Sequence, residues 1–373
     1  MHHGTPFFQG FSSILFGRPA LSGLQQKLRD VAALNTLSDF FATFGFLIPD
    51  ALLRRRSTGM NSRQRRFTLH VTFWAFLAQT LVPETSCRDI VRKVQAWWLL
   101  RAPKSAAGSS STAAYTKARQ RLDPKSIQGI GQHLVERLEG RVQPSQLWRG
   151  RRVRVVDGTT VSMPDTPKNQ AKYPQPSSQK AGCGFPQMRI VGLFSLASGA
   201  LLDFAKSSIH VHESILFRQL ISTLKNFQRW SVELHFREIK ITLGMDVLRC
   251  QTPGMVEKEV MMHAISYNLI RALMQEAAIR HQVDLTRISF KGTVDTLRHW
   301  SASLEALRGM PRKQQALLEA MFELIAKDLV PLRPGREEPR AKKRRPKNYQ
   351  LLTKPRKEMK TPGHRNRPKS TLS

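Results

Sequence analysis

An α/β core set behind an all-α N-terminal region and ahead of a basic tail is the fold class the sequence predicts. Three observations lead there. Residues 23–145 carry apolar side chains at helical spacing. From about residue 150 the pattern changes to short β-branched and apolar runs. From Pro334 periodicity stops, and 14 Lys and Arg stand against 3 Glu among many prolines. Such a segment buries too little apolar surface to fold alone and is expected to be disordered. The chain therefore divides into an extension (1–22), a helical, DNA-binding region (23–145), a core (150–290), C-terminal helices (291–333) and a basic tail (334–373).

The helical region opens with "LQQKLRDVAALNTLSDFFATFG", which stops at a glycine. "FTLHVTFWAFLAQTLV" (67–82) is interrupted by His70 and Gln79 and is short for a bilayer span, so it reads as a core helix and no membrane role is expected. "ETSCRDIVRKVQAWWLL" is amphipathic. "STAAYTKARQRLD" begins with hydroxyl residues suited to an N-cap and carries Lys117, Arg119 and Arg121. This pair of helices fits a DNA-reading unit whose second helix enters a groove. It fits equally a helical bundle with a solvated basic face.

In the core, "RVRVV" (152–156) predicts a first strand that ends at Asp157. "MRIVGLFSL" (188–196) and "ALLDFAKSS" (200–208) predict a hairpin through Ser198-Gly199. A helix follows from Glu213, then helical segments over 227–243, 255–277 and 294–329.

Charge names the partner. Sixty Lys and Arg against 27 Asp and Glu give a net +33. Folding has no need of such an excess, whereas a polyanion releases counterions when it is bound. DNA is favoured over an anionic membrane. The tail then reads as a phosphate-gripping arm. Cys87, Cys183 and Cys250 form no metal-spaced pair and no disulfide framework. The start of the chain has no basic residue ahead of its apolar patch and makes a poor signal peptide. A cytoplasmic, DNA-associated protein is the expectation.

A carboxylate at the tip of a buried strand is costly without a partner, so Asp157 is the first candidate site residue. Arg229, Glu233 and Lys240 are spaced by four and then seven and share a helical face. Alone, that spacing is most simply a salt-bridged surface. Next to Asp157, a three-strand, one-helix pattern and a basic chain, it takes another meaning. A carboxylate on a first strand and one on a later helix is how ribonuclease-H-like nucleases hold two Mg²⁺ ions. Asp157 and Glu233 become the catalytic and metal-ligating candidates. Arg229 and Lys240 become candidates for holding DNA phosphate.

"VVDGTTVSMPDTPKNQAKYP", "GFPQMRIVGLFSLASGALLDFA", "RWSVELHFREIKITLGMDVLRCQTPGMVEKEV" and "YNLIRAL" together resemble the bacterial DDE-type insertion-sequence transposases of the IS-four family. The C-terminal "PGREEPRAKKRRPKNYQLLTKPR" is similar to tails of that family. The resemblance implies a ribonuclease-H-like core and Mg²⁺-dependent cutting and joining of DNA. The partners it implies are transposon terminal inverted repeats and target DNA, with a homodimer in the synaptic complex. By position, Asp157 matches the family's first catalytic aspartate, Glu233 its glutamate, and Arg229 and Lys240 the arginine and lysine of its Tyr-Arg-Glu-Lys signature.

Two departures stand out. The tyrosine position is Asn226. The second aspartate, expected after a fourth strand, has no counterpart. Between Asp157 and Glu233 the acidic residues are Asp165, Asp203 and Glu213, and none follows a fourth strand. Nor is there room for such a strand, because "ESILFRQLISTLK" runs almost directly into "NFQRWSVEL". The reading is an internal deletion with its junction near 222–227, and a core truncated by one strand and one carboxylate. The expected protein is a transposase by descent with impaired catalysis. The alternative is a catalytically inactive DNA-binding protein acting at transposon ends. Rescue by Asp165 or Asp203 stays open.

Other residues have plainer readings. His210 and His212 fit a polar loop, as no ligand set surrounds them. Trp230 fits core packing. Asp246 and Glu238 fit solvation or pairing with Arg237 and Arg249. The helix 255–277 fits a structural element behind the glutamate helix.

Overall fold

The computed structural model describes Phe44, Leu47, Ile48, Leu53 and residues 66–83, 85–101, 108–221, 233–307, 310–331, 355 and 358. The expected extension (1–22), the first helix, the junction near 222–227, Asn226, Arg229, Trp230 and nearly all of the basic tail lie outside the described residues.

Helix α1 (Leu69–Leu81) starts where the Thr68 hydroxyl accepts from the Val71 amide at 3.2 Å. It is buried on most sides, which explains its nearly continuous apolar sequence. Helix α2 (Cys87–Arg101) follows an Asp89–Ser86 cap. Helix α3 (Ala113–Gln120) packs on α1 through Tyr115 and Ala118. Helix α4 (Pro124–Gly140) has proline at its first position and Asp123 as its cap. Its stripe Ile127, Ile130, Leu134 and Leu138 is buried.

The sheet has three antiparallel strands in the order β1 (Arg154–Ser162), β2 (Gln187–Ser195), β3 (Leu201–Ser208). The predicted hairpin is present, with Gly199 at φ 69° in its turn. The first strand does not end at Asp157. It runs on through Ser162, carried by the β-branched Thr159, Thr160 and Val161, so Asp157 stands in mid-strand opposite Gly192. A short helix, α5 (Pro167–Lys172), lies between β1 and β2.

Helix α6 (Glu213–Leu220) covers one face of the sheet. Its Leu216 and Leu220 pack with Val191, Leu193 and Ala205. The other face meets helix α7 (Glu233–Arg237), which continues as a π-helical turn, Glu238–Thr242. The single long helix expected over 227–243 is thus, within the described residues, one α turn followed by a wider one.

Helix α8 (Pro253–His281) is the axis of the molecule, buried along most of its length. It packs on α1, α4 and β3. Two further helices, α9 (Phe290–Ala306) and α10 (Pro311–Lys327), close over it. The expected segment 294–329 is therefore two helices. Among the described residues no helix is long and apolar enough to cross a membrane.

Candidate active site

Position in the sheet fixes where Asp157 points. Directly paired residues of an antiparallel sheet project to the same face, and Asp157 pairs with Gly192. A Cβ on Gly192 would lie 2.9 Å from the Phe236 ring of α7. Asp157 therefore stands on the face that α7 covers, and Glu233 is the residue that opens α7. The bare Cα of Gly192 lets the helix approach the sheet this closely. The Asp157 carboxylate accepts from the Gly158 amide at 2.8 Å.

The helix is held by residues that sequence reasoning did not assign. Arg271 on α8 lies 2.8 Å from His235 Nδ1 and donates to Glu238 at 3.1 Å. A guanidinium only donates, so Nδ1 is the accepting nitrogen. Burial, with the Arg271 charge acting in the same sense, pushes the His235 pKa below its ordinary value, against the pull of Glu238. Tyr267 donates to the Gly199 carbonyl at 2.7 Å and touches the same imidazole at 2.8 Å. Asn268 bonds both the amide and the carbonyl of Leu201 at 2.9 Å. One turn of α8 thus ties α7 to the β2–β3 turn. Glu238 was expected solvated or beside Arg237; its partner is Arg271, brought from another helix. The signal was present in "YNLIRAL", where Tyr267 and Arg271 are four apart on one face.

The three other acidic residues between Asp157 and Glu233 are all described, and none joins Asp157. Asp165 lies beyond the end of β1 and accepts from Gln170 at 2.9 Å. Asp203 sits two strands away, roughly 9–10 Å by strand spacing. It pairs with Leu193, which packs under α6 on the opposite face. Glu213 comes close to the strand in space: a Cβ on Gly158 would meet its carboxylate at 2.7 Å. That contact is also on the α6 face, because Gly158 alternates with Asp157. Glu213 occupies the first turn of α6, where its negative charge suits the helix dipole. Among the described residues no three His, Cys, Asp or Glu side chains form a metal-holding group. His210 and His212 sit in an exposed turn, where His212 caps α6.

The basic candidates separate. Lys117 is exposed on α3. Arg121 follows the end of that helix and is half-buried. Arg119 departs from the expectation of a shared DNA-facing side, because its side chain is 7% exposed. The guanidinium stacks 5.0 Å from the Phe76 ring and 4.9 Å from Tyr115. It also reaches the thiols of Cys87 at 3.3 Å and Cys250 at 3.9 Å. These sulfurs, scattered in sequence, share a small polar cavity of ≈160 Å³ with His263, whose pKa burial pushes down to about 3. Lys240 lies in the π turn, half-buried. The wider turn rotates it away from the strict seven-residue register with Glu233.

A family model described as a transposase DDE domain matches residues 225–269, which include α7, the π turn and the Tyr267–Asn268 clamp. The transposase InsG for insertion sequence element IS4 of Escherichia coli (strain K12) is 25% identical over 199 residues, 52% of this chain and 44% of that protein. InsZ of the same strain, a transposase by its assigned name, is 23% identical over 163 residues, 43% of this chain and 52% of that protein. The chain spans about half the length of the curated relatives it matches. No solved structure matches it. Over these segments the chain is similar to DDE-type insertion-sequence transposases.

Proposed function

We propose that the chain is a DNA-transposition protein of ribonuclease-H-like descent, built to bind transposon ends and cut and join DNA there, and that this copy is catalytically impaired. One observation carries the reading. Asp157 and the start of the glutamate helix share one face of the sheet, while Asp165, Asp203 and Glu213 all lie elsewhere. The family's chemistry uses divalent metal to stabilise the attacking and leaving oxygens of a phosphodiester. Asp157 and Glu233 are the residues that would hold it. A two-metal set needs a further carboxylate on that face, and Asp165, Asp203 and Glu213, the described acidic residues between Asp157 and Glu233, do not supply one. The residues thus fit half of the site, consistent with a deletion near 222–227. Arg229 and Lys240 serve DNA phosphate in this reading, with Lys117 and Arg121 on the helical region and the basic tail as further contacts. A homodimer holding two ends follows from the family's way of working.

The alternative, an inactive DNA-binding relic at transposon ends, shares every feature except residual cleavage. Purified protein mixed with linear DNA bearing the element's own terminal repeats, with Mg²⁺ or Mn²⁺, separates the two. Binding without nicking is the expected result. Nicking that disappears in Glu233→Ala would overturn the impairment.

A further inference from the structure

The chain between α4 and β1 makes a tight turn, Trp148-Arg149-Gly150-Arg151, closed by the Arg151 amide donating to the Trp148 carbonyl at 3.0 Å. Arg149 has φ 50° and Gly150 φ 73°. Two successive positive values make this the hairpin turn that favours Asn-Gly. Arginine in the first place is a poor choice for stability. It is the choice to make if a cation is wanted at that tip.

Trp148, the first residue of the turn, lines a groove of ≈850 Å³. Trp148 is 38% exposed in it and Ile279 38%. Its rim carries Gln282 together with Gln143, which donates to the Arg141 carbonyl at 3.2 Å, and Gln146, which accepts from the Gln143 amide at 2.8 Å. The Arg149 guanidinium lies 5.0 Å from the indole. Nearby carboxylates are already engaged: Glu139 with Arg152 and Arg154, Glu276 with Arg141 and Arg280. Asp284, the acidic group of the lining, caps its own turn at Thr286. Arg149 and Arg151 are exposed, and no carboxylate among the described residues pairs with either.

We propose that this groove takes an unpaired nucleotide, its base stacked on Trp148 and its flanking phosphates on Arg149 and Arg151. An exposed indole offers a platform that any base can use, and the flanking cations track the backbone. The two exposed cations suit a phosphate-bearing strand and would repel a second copy of this cationic chain. The proposal rests on the DNA-handling reading above and adds to it a site for single-stranded DNA, on an element remote in sequence from both Asp157 and Glu233.

The test measures fluorescence anisotropy of the full chain with labelled oligothymidylate and, separately, with a duplex of matched length. Trp148→Ala weakens oligothymidylate binding about ten-fold and leaves duplex binding unchanged. Trp148→Phe retains most of the affinity, since a ring remains. Arg149→Asn weakens binding while raising Tm, because asparagine suits the turn. Equal affinities for wild type and Trp148→Ala, with duplex binding intact, would overturn the site and leave the DNA reading standing. Wild-type protein that binds neither DNA would overturn both.

Discussion

The two outer edges of the sheet carry the same local device. On β1, even-numbered residues point their amides outward, as Ser162 shows by donating to the Asp246 carbonyl while Val153 and Met163 bond β2. Gly158 is one of these, and Asp157 accepts from its amide at 2.8 Å. On β3, Phe204 points outward, and Asp203 accepts from its amide at 2.8 Å. Each aspartate thus caps an edge amide that the sheet leaves over, and each puts a charge on a strand edge, which discourages edge-to-edge pairing. The hydrogen bond therefore cannot be what distinguishes Asp157. Its surroundings do: one face of β1 lies under α7, whereas Asp203 opens onto a groove beside Gln128, Glu136 and Lys206. A strand carboxylate becomes a candidate site by what stands opposite, and α7 stands opposite Asp157.

The largest expected effect breaks the β1 side alone. Gly192→Ala drives a methyl into Phe236, Phe194 and Leu201 at 2.9–3.1 Å. It should cost about 2–3 kcal/mol in urea denaturation, since overpacking a closed contact forces backbone shifts. A loss under roughly 0.5 kcal/mol would mean that α7 is not seated on the sheet. Asn268→Ala attacks the other side, removing the clamp on Leu201 and stranding a buried amide and carbonyl. About 2 kcal/mol is expected, and hydrogen exchange at β3 should rise before exchange at β1.

The paired test of the comparison is Asp157→Ala against Asp203→Ala. Each should lose about 1 kcal/mol, because each removes one capped edge amide. A clearly larger loss at Asp157, appearing with divalent metal present, would point to a working ligand rather than a cap. The smallest effect belongs to Gly158→Ala. The new methyl meets the end of the flexible Glu213 side chain, which is half-exposed and free to swing. Less than about 1 kcal/mol should be lost, and a thermal melt that falls as far as that of Gly192→Ala would show that α6 is as tightly docked as α7.

Much of this was legible in the sequence, for identifiable reasons. Alternation and Ser198-Gly199 announced β2 and β3, and Asp157 announced itself as a charge within a β-branched run. The end of β1 was misplaced because Asp157 and Gly158 look like a stop, whereas Thr159 to Val161 continue the strand once β2 is alongside. Arg119 read as surface charge, since nothing local shows that Phe76 and Tyr115 from two helices will sandwich it. Lys240 was placed by an α-helical count that the π turn upsets. Glu238 finds Arg271 only through the fold. The short acidic inventory between Asp157 and Glu233 needed no structure, whereas the place of Asp165, Asp203 and Glu213 in the fold did.

Counting bound Mn²⁺ by electron paramagnetic resonance, in wild type and in Asp157→Asn, tests the incomplete carboxylate set most directly. The account predicts no saturable binding of a metal pair in the wild-type chain, and titrations that superimpose for the two proteins. Two Mn²⁺ ions held per chain and lost together in Asp157→Asn would contradict it, and would require a third carboxylate to reach the α7 face of the sheet.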